Sequence, residues 1–361
     1  MAERTETVFL KEGEEKFSRL LAHGVDYSDL TSVVSRVKDE ETWLTEWSKM
    51  GDVHRKLAED ALAGGRSITA GEAFERASIY YHFAQFIYFR DWNKKLVAMD
   101  KRSENFKRGA PLLVPPAARM EFRFENVDLP GYLRVPSRGG RYPCVIHIGG
   151  VDSTKEENHF LTEDYLKRGM ATLCIDGPGQ GEVWRAMKMR EDFEKVVSAV
   201  IDNLQRVKEI DSERLGIAGR SMGGHYACRS AANDPRIKAV ITNGGSYDMS
   251  SWSTRPLAAK ESFMFFTGAK NLDEAYEISK TVTLQGLLDK IRCPLMIIQG
   301  GKDALVPASN AERITKEVKG EKSVIIYEDS DHGLHNVSYI MRPAMADWMK
   351  EKLGATDLQW K

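Results

Sequence analysis

The sequence predicts an α/β fold, in which a mostly parallel sheet of eight strands is flanked by helices and preceded by a helical region. Short apolar runs alternate with helical patterns over residues 117–361, which is typical of successive βαβ units whose sheet is covered on both faces. A stiff, turn-rich stretch with Pro111, Pro115 and Pro116 comes before them. Residues 1–116 show apolar positions at helical spacing and no sustained alternation of the strand type.

The helical region is expected to contain several helices separated by glycine. Apolar side chains recur at helical spacing at Phe17, Leu20 and Leu21. Glycine weakens a helix, so Gly51 and the pair at 64–65 are expected to mark helix ends.

The predicted strands are short and apolar. Alternating residues on both sides of Pro130 and Gly131 predict a hairpin that turns at this pair. The longest connection, residues 244–290, is expected to be a helical insertion near the site, with one helix at 272–279. Right-handed crossovers between parallel strands bring their carboxyl ends to one edge of the sheet, where a site is expected. The other six strands are predicted at 144–148, 171–175, 215–218, 239–242, 294–299 and 323–327.

The composition argues against a charged macromolecule as partner. The 361 residues include 52 Lys and Arg against 53 Asp and Glu, for a net charge of -1, so neither nucleic acid nor an anionic membrane is expected. The first residues are charged, and no apolar run approaches the roughly 20 residues of a membrane span. A cytoplasmic protein without a secretory signal is therefore expected. The four cysteines form no CxxC pair, and neither a metal nor a cofactor is predicted.

The strongest local motif is the run Gly219-Arg220-Ser221-Met222-Gly223, which follows a predicted strand and begins a predicted helix. A G-x-S-x-G run in this context is the nucleophile elbow of the α/β-hydrolase fold. The small residues Gly219 and Gly223 permit a tight turn that lifts the hydroxyl above the sheet edge, and the helix start directs N–H groups at developing negative charge. The motif therefore predicts the α/β-hydrolase fold with Ser221 as the nucleophile.

Candidates for the other two members of a catalytic triad follow the serine in the order that this fold uses. Asp303 and His332 each come directly after a predicted strand, so both are expected at the same sheet edge as Ser221. His335 is a rival base, but it is expected to start a helix. Asp331 is a poor rival acid, because the side chains of adjacent residues diverge. The predicted triad is Ser221, Asp303 and His332.

An oxyanion hole requires two N–H donors. One is expected from the backbone of Met222, next to the nucleophile. The other is expected after the glycine pair 149–150, from Val151 or, as a second choice, from Asp152. The Gly-rich run 176–181 also follows a strand, but it lacks the Lys-Ser/Thr of a P-loop and is interpreted as a structural turn beside the site.

Three motifs together resemble a known family. The elbow, the run 149–157 (GGVDSTKEE) and the run 80–83 (YYHF) are similar to those of the capped carbon–carbon bond and polyketide hydrolases of the α/β-hydrolase superfamily, the family of 2,6-dihydroxypseudooxynicotine hydrolase. The resemblance implies that residues 1–116 form a helical cap over a catalytic domain of residues 117–361. It also implies the triad given above and a homodimer.

The resemblance further implies the chemistry: hydrolysis of a carbon–carbon bond next to a carbonyl group, in a small β-diketone or acyl-phenol type of substrate, through an acyl-enzyme or a related tetrahedral intermediate. One family member is thought to use an additional acid after the strand 239–242, where this sequence offers Asp248 and Glu261. The candidate substrate contacts from the cap and the insertion are Glu72, Tyr81, His82, Asp248 and Trp252. The aromatic side chains among them also fit simple packing of helix on helix.

Two other functions fit the same residues. A carboxylesterase or thioesterase would use the same triad with an easier leaving group and no additional acid. A non-hydrolytic cyclase or a binding protein would use the same scaffold, because a fold alone does not establish a reaction.

Overall fold

The structure is a computed structural model that describes residues 6–137 and 139–357. The parts of the predicted domains beyond these ranges lie outside the described residues. The chain divides into two compact units, one of which runs to Ala118 while the other begins at Arg119.

The described residues of the first unit form helices around an apolar core that includes Trp43, Trp47 and Phe83. The fourth helix has a capping box, in which Asp39 accepts a hydrogen bond from the N–H of Thr42 and the Thr42 hydroxyl accepts one from the N–H of Asp39. Such a cap satisfies N–H groups that have no partner inside the helix. The helices are α1 (Glu6–Glu14), α2 (Phe17–Ala22), α3 (Tyr27–Val34), α4 (Glu40–Ala63), α5 (Ser67–Phe86) and α6 (Trp92–Gly109).

Gly51 does not end a helix, so this prediction from sequence is wrong. It lies inside α4, where an added side-chain carbon would be 2.9 Å from the ring of Tyr81 in α5. The missing side chain lets the two helices pack closely, which outweighs the roughly 1 kcal/mol that glycine costs a helix. The other predicted break is present, because Gly64 and Gly65 separate α4 from α5 and Gly65 has a φ of 74°.

The second unit contains one sheet of eight strands in the order β1-β2-β4-β3-β5-β6-β7-β8. The pair β2 and β4 is antiparallel, whereas the five pairs from β3/β4 to β7/β8 are parallel. The prediction of a mostly parallel eight-stranded sheet is therefore confirmed. The strands are β1 (Ala118–Phe124), β2 (Val127–Arg134), β3 (Tyr142–Ile148), β4 (Ala171–Ile175), β5 (Ile210–Arg220), β6 (Ile237–Asn243), β7 (Leu295–Gly300) and β8 (Lys322–Tyr327).

Helices connect the strands of the sheet from β3 onwards, and one helix follows β8. In the 244–290 connection the structure has the helix that the sequence predicts at 272–279 and a second one before it. No helix among the described residues combines the length and the apolar character that crossing a membrane requires. The helices are α7 (Lys155–Leu161), α8 (Glu163–Lys167), α9 (Phe193–Leu204), α10 (Met222–Asn233), α11 (Leu257–Thr267), α12 (Leu272–Ser279), α13 (Ser309–Glu317) and α14 (Ser338–Leu353).

The first hairpin does not turn where the sequence predicts. Pro130 and Gly131 lie within β2, and the chain turns earlier, at Glu125, which has a φ of 51°. Pro130 has no N–H to donate, but its carbonyl accepts a hydrogen bond of 3.0 Å from the N–H of Asp176. Gly131 pairs with Ile175 of β4. A proline and a glycine are thus accommodated inside a strand by the register with β4.

The strand register brings the carboxyl ends of β3, β5 and β6 to one edge. Ile148, the last residue of β3, pairs with Gly219, and Arg220 at the end of β5 pairs with Asn243 at the end of β6. The strands β7 and β8 continue the parallel order. The loops that follow these five strands therefore lie side by side, as expected for the ligand-binding edge of such a sheet.

Candidate active site

Ser221 occupies a strained turn between β5 and α10. Its φ is 58° and its ψ is -123°, a region that residues with a side chain seldom adopt. The N–H of Ser221 donates a hydrogen bond of 2.8 Å to the carbonyl of Asn243 at the end of β6, which ties the turn to the sheet edge. Strain of this kind persists only where surrounding contacts maintain it, and such positions cluster at functional sites.

The two glycines of the motif allow the chain to approach itself closely. An added side-chain carbon at Gly219 would overlap the carbonyl oxygen of Gly223, and one at Gly223 would overlap the carbonyl oxygen of Ile148. Neither position can hold a larger residue without moving the backbone of the turn. This is the physical basis of the G-x-S-x-G spacing in this chain.

Asp303 and His332 are joined by a hydrogen bond of 2.8 Å between Asp303 Oδ2 and His332 Nδ1. The Asp303 carboxylate also accepts hydrogen bonds from the side chain of Gln299 and from the backbone N–H groups of Leu305 and Val306. Its side chain is completely buried, whereas that of His332 is 24% exposed. A carboxylate that only accepts assigns the proton to Nδ1, which leaves His332 Nε2 as an acceptor.

Glycine loops lie beside both parts of this arrangement. An added side-chain carbon at Gly150 would be 3.3 Å from Cβ and 3.8 Å from Oγ of Ser221. One at Gly244 would be 3.6 Å from Oδ2 of Asp303 and 3.7 Å from the ring of His332. Across residues 6–137 and 139–357, Ser221 Oγ makes no hydrogen bond, so proton transfer to His332 requires the two side chains to come within hydrogen-bond distance.

The loop after β3 is held by Gln180, a residue that the sequence analysis did not single out. The Gln180 amide donates hydrogen bonds of 2.8 and 3.1 Å to the carbonyls of Gly149 and Gly150, and its oxygen accepts one from the N–H of Gly177. The residue is only 3% exposed. The run 176–181 is therefore more than a turn, because its glutamine orients the neighbouring loop. Such a contact between distant loops leaves no mark in the spacing of residues.

The candidate oxyanion donors lie on two adjacent loops. In the described part of the chain, the backbone N–H groups of Met222 and Val151 have no backbone acceptor. Met222 is the first residue of α10, where N–H groups lack partners within the helix. Val151 and Asp152 follow the glycine pair that Gln180 holds. Both loops can thus offer a donor near Ser221.

A group of three carboxylates beside this loop has the spacing of a metal site but contains a lysine ammonium. Side-chain oxygens of Glu156, Asp176 and Glu182 all lie within 4.8 Å of one another. Lys155 Nζ is 2.6 Å from Glu156, 2.7 Å from Asp176 and 2.6 Å from Glu182. Lys155, Glu156 and Asp176 are fully buried. The ammonium thus supplies the positive charge that a metal ion would bring.

The substitution Lys155→Met is expected to lower the free energy of unfolding by about 3–5 kcal/mol, because it removes the cation that the buried carboxylates of Glu156 and Asp176 share. The loss should be smaller at pH 5 than at pH 8, since repulsion raises their pKa values and proton uptake then relieves it. Urea unfolding at both pH values measures it. The control is Lys302→Met, whose ion pair with Asp329 has side chains that are 66% and 88% exposed. Equal, small losses in both variants would contradict a stabilising role for the cluster.

Three of the predicted substrate contacts belong to the helical unit. Tyr81 is buried, and its hydroxyl donates a hydrogen bond of 2.6 Å to Asp52. The buried ring of His82 meets that of Phe83 edge to face, with centroids 5.1 Å apart. Glu72 is exposed. Tyr81 and His82 thus take part in packing within the helical unit, and their contact with substrate stays a prediction.

The candidates in the insertion have partners of their own. Trp252 is buried and packs edge to face on Phe263, with ring centroids 5.5 Å apart. Asp248 forms an ion pair of 2.7 Å with Arg313. Burial acts to raise the pKa of Asp248, but hydrogen bonds and the arginine outweigh it and hold the pKa below its ordinary value. Glu261 lies buried in α11. The negative charge of Asp248 is therefore already paired with the positive charge of Arg313.

Comparison with known proteins places this architecture in a family. Residues 23–353 match the FrsA-like esterases. A 2,6-dihydropseudooxynicotine hydrolase from Paenarthrobacter nicotinovorans is 36% identical over 341 residues, which are 94% of this chain and 92% of that one. A crystal structure of the 2,6-dihydroxy-pseudo-oxynicotine hydrolase superposes with a TM-score of 0.88 at 34% identity, covering 96% of this chain and 98% of the other.

A fungal relative matches over a shorter range. The α/β hydrolase xenA from Xenoacremonium sinensis is 35% identical over 237 residues, which are 61% of this chain and 55% of the fungal protein. These relatives are hydrolases, and the bacterial one confirms the resemblance to carbon–carbon bond hydrolases that the motifs indicate. The chain belongs to the FrsA-like esterase family and is an enzyme, a hydrolase of the α/β-hydrolase fold.

Proposed function

We propose that the enzyme is a serine-dependent hydrolase that cleaves a carbon–carbon bond next to a carbonyl group. Ser221 is the nucleophile, His332 the general base and Asp303 the acid that orients the histidine. The observation that carries this proposal is the 2.8 Å hydrogen bond between Asp303 and His332 at the sheet edge that also holds the strained Ser221. A serine, a histidine and an aspartate in these roles are the groups that serine hydrolases use on several unrelated folds.

Acylation begins when His332 Nε2 accepts the hydroxyl proton of Ser221. Oγ then forms a bond to the substrate carbonyl carbon, and the carbonyl electron pair moves to oxygen. The resulting oxyanion accepts hydrogen bonds from the N–H groups of Met222 and Val151, with Asp152 as the alternative second donor. The Asp303 carboxylate stabilises the imidazolium and does not itself take up a proton.

The tetrahedral intermediate collapses by breaking the carbon–carbon bond. The bonding electron pair leaves with the departing carbon, which receives the proton that His332 holds. A carbanion departs only if a neighbouring carbonyl or aromatic ring delocalises its charge, which points to a β-diketone or an acyl-phenol. Water that gives its proton to His332 then attacks the acyl group, and a carboxylic acid is released from Ser221.

A second function, hydrolysis of carboxylic esters, uses the same residues. The family description, FrsA-like esterase, favours it, while the relative at 36% identity favours the carbon–carbon bond reaction. An ester needs a less demanding step, because an alkoxide is a better leaving group than a carbanion. The substrate is a small carbonyl compound under either function.

Product analysis separates the two functions. The enzyme is incubated with p-nitrophenyl acetate and with benzoylacetone, an aryl β-diketone, and the products and the protein are analysed by mass spectrometry. Cleavage of the diketone, together with an acyl group on the peptide that carries Ser221, would support the proposal. Acylation and turnover with the ester alone would favour the esterase. Turnover with no acyl group on Ser221 would contradict both.

The substitution Gln180→Glu is expected to lower kcat for p-nitrophenyl acetate by about 10- to 100-fold with little change in KM. A carboxylate still accepts from Gly177 but cannot donate to the carbonyls of Gly149 and Gly150, so the loop with the Val151 donor loses its support. Steady-state kinetics measures the effect. The exposed Gln285 supplies the control variant, Gln285→Glu. An unchanged kcat, or a loss confined to KM, would show that Gln180 does not position an oxyanion donor.

Other features remain predictions that accompany the proposal. They are a division into a helical domain of residues 1–116 and a catalytic domain of residues 117–361, a homodimer and a cytoplasmic location. Light scattering on the purified protein would test the dimer.

A further inference from the structure

Arg255 lies in the 244–290 insertion, in a segment that is attached to the loop of the proposed triad acid. It follows a single helical turn, Ser250–Thr254. The hydroxyl of Ser251 in that turn donates a hydrogen bond of 3.4 Å to the carbonyl of Leu305. The N–H of Leu305 in turn donates to the carboxylate of Asp303, at 2.9 Å. The insertion thus carries an arginine to the side of the site where Asp303 lies.

Two nitrogen atoms of the half-buried Arg255 guanidinium group are withdrawn from water. Its Nε and Nη2 atoms are buried, and no hydrogen-bond acceptor for them is found within the described ranges. The carboxylates of Asp303 and Asp248 are near enough to attract its positive charge. However, Asp303 is bonded to His332 and Asp248 to Arg313. Burial lowers the pKa of Arg255 to about 10, so the group is still a cation at neutral pH.

Such a cation is costly unless something neutralises it. Transferring a charged group out of water costs several kcal/mol, and buried charges in proteins are therefore paired or bind a ligand. Arg229 shows the usual arrangement, in which a carboxylate neutralises the cation. Its Nε and Nη2 atoms donate hydrogen bonds of 3.0 and 3.1 Å to the Glu194 carboxylate. For Arg255 the described residues offer no equivalent carboxylate.

We propose that Arg255 binds an oxygen anion of the substrate, either a carboxylate or the ionised hydroxyl of an enol or a phenol. This inference rests on the proposed function, because it assumes that the substrate lies against Ser221 and His332. A guanidinium presents parallel N–H groups that fit such oxygens. In carbon–carbon cleavage the charge of the leaving carbon is delocalised onto an oxygen of this kind. The same cation would then stabilise the leaving group as it forms.

The segment after β6, where an additional acid was expected, presents a cation in Arg255. The segment after β6 offers Asp248, which is bonded to Arg313. It also offers a cation in Arg255, whose Nε and Nη2 atoms have no acceptor among residues 6–137 and 139–357. An acid would assist protonation of a leaving group, whereas an arginine selects a substrate that is already anionic. The specificity of this enzyme is therefore expected to be for acidic substrates.

Ligand binding tests the proposal without any chemical step. Benzoate and its neutral analogue benzamide are titrated by calorimetry into Ser221→Ala and into the double variants with Arg255→Met and with Arg255→Lys. Benzoate is expected to bind about 10- to 100-fold more tightly than benzamide, Arg255→Met to remove the difference and Arg255→Lys to keep part of it. Equal binding of both ligands to Ser221→Ala, or a preference that survives Arg255→Met, would overturn a carboxylate ligand.

Steady-state kinetics tests whether Arg255 binds an enolate. Arg255→Met, with Ser221 intact, is expected to lower kcat/KM for benzoylacetone by about 10- to 100-fold and for neutral p-nitrophenyl acetate by less than about 3-fold. Arg123→Met, at an exposed ion pair with Asp128, is the control. Anion selectivity in neither arm, or equal losses on both substrates, would overturn the proposal. Failure of the proposed function appears differently, as turnover that persists in Ser221→Ala.

Discussion

Replacing Ser221 by alanine is expected to lower kcat for p-nitrophenyl acetate by about 10⁴- to 10⁶-fold while KM stays within about threefold. The hydroxyl is the only group that the substitution removes. No hydrogen bond is lost with it, because Oγ makes none to residues 6–137 or 139–357. The backbone strain at this residue is unchanged, because alanine also has a Cβ. The fold should therefore survive, and the loss should fall on the chemical step.

The Ser221→Ala experiment needs a control for general effects of losing a hydroxyl. Ser253 is exposed in the same unit, and Ser253→Ala should retain the activity of the unaltered enzyme. Circular dichroism of both variants checks that the fold is intact. Ester turnover in Ser221→Ala within about tenfold of the unaltered enzyme would rule out Ser221 as the nucleophile, and the mechanism proposed above with it.

The substitution Asp303→Asn is expected to have the second largest effect, a decrease in kcat of about 10³- to 10⁴-fold. An amide can still accept from the N–H groups of Leu305 and Val306 through its oxygen. Its NH₂ group would then face His332 Nδ1, which forces the imidazole proton onto Nε2, the atom that must accept the proton of Ser221. The charge that stabilises the imidazolium is lost as well. Pre-steady-state kinetics with p-nitrophenyl acetate would locate the loss in acylation.

A matched control for this variant lies three residues before the histidine. Asp329 is highly exposed and pairs with Lys302, so Asp329→Asn removes a carboxylate on the same loop without touching His332. It should leave kcat unchanged. A similar decrease in both variants would mean that general electrostatics of the loop, and not the Asp303–His332 bond, accounts for the effect.

The inner strands of the sheet were predictable from the sequence because they are buried on both faces. Strand β4, for example, is a short apolar run with every residue buried, so the pattern and the structure coincide at residues 171–175. The order of chain segments after Ser221 likewise predicted that Asp303 and His332 follow strands of the same sheet, and the structure joins these two side chains by a hydrogen bond.

The failures have a common physical origin in tertiary contacts that override local preference. Gly51 stays helical because the ring of Tyr81 occupies the space beside it. Pro130 stays in a strand because its carbonyl accepts a hydrogen bond from the N–H of Asp176, directly after β4. Gln180 and Arg255 were missed for the same reason. What distinguishes them is what surrounds them after folding, and no spacing rule encodes that.

The buried lysine near the loop after β3 has a consequence for how the sequence can change over time. Glu156 and Asp176 share the ammonium of Lys155 in the interior, so replacing the lysine alone removes the cation of two fully buried carboxylates, whereas Glu182 keeps its ion pair with Arg119. Relatives can lose the lysine without reduced stability only together with these two acids or after them. Relatives that keep both Glu156 and Asp176 should therefore also keep Lys155.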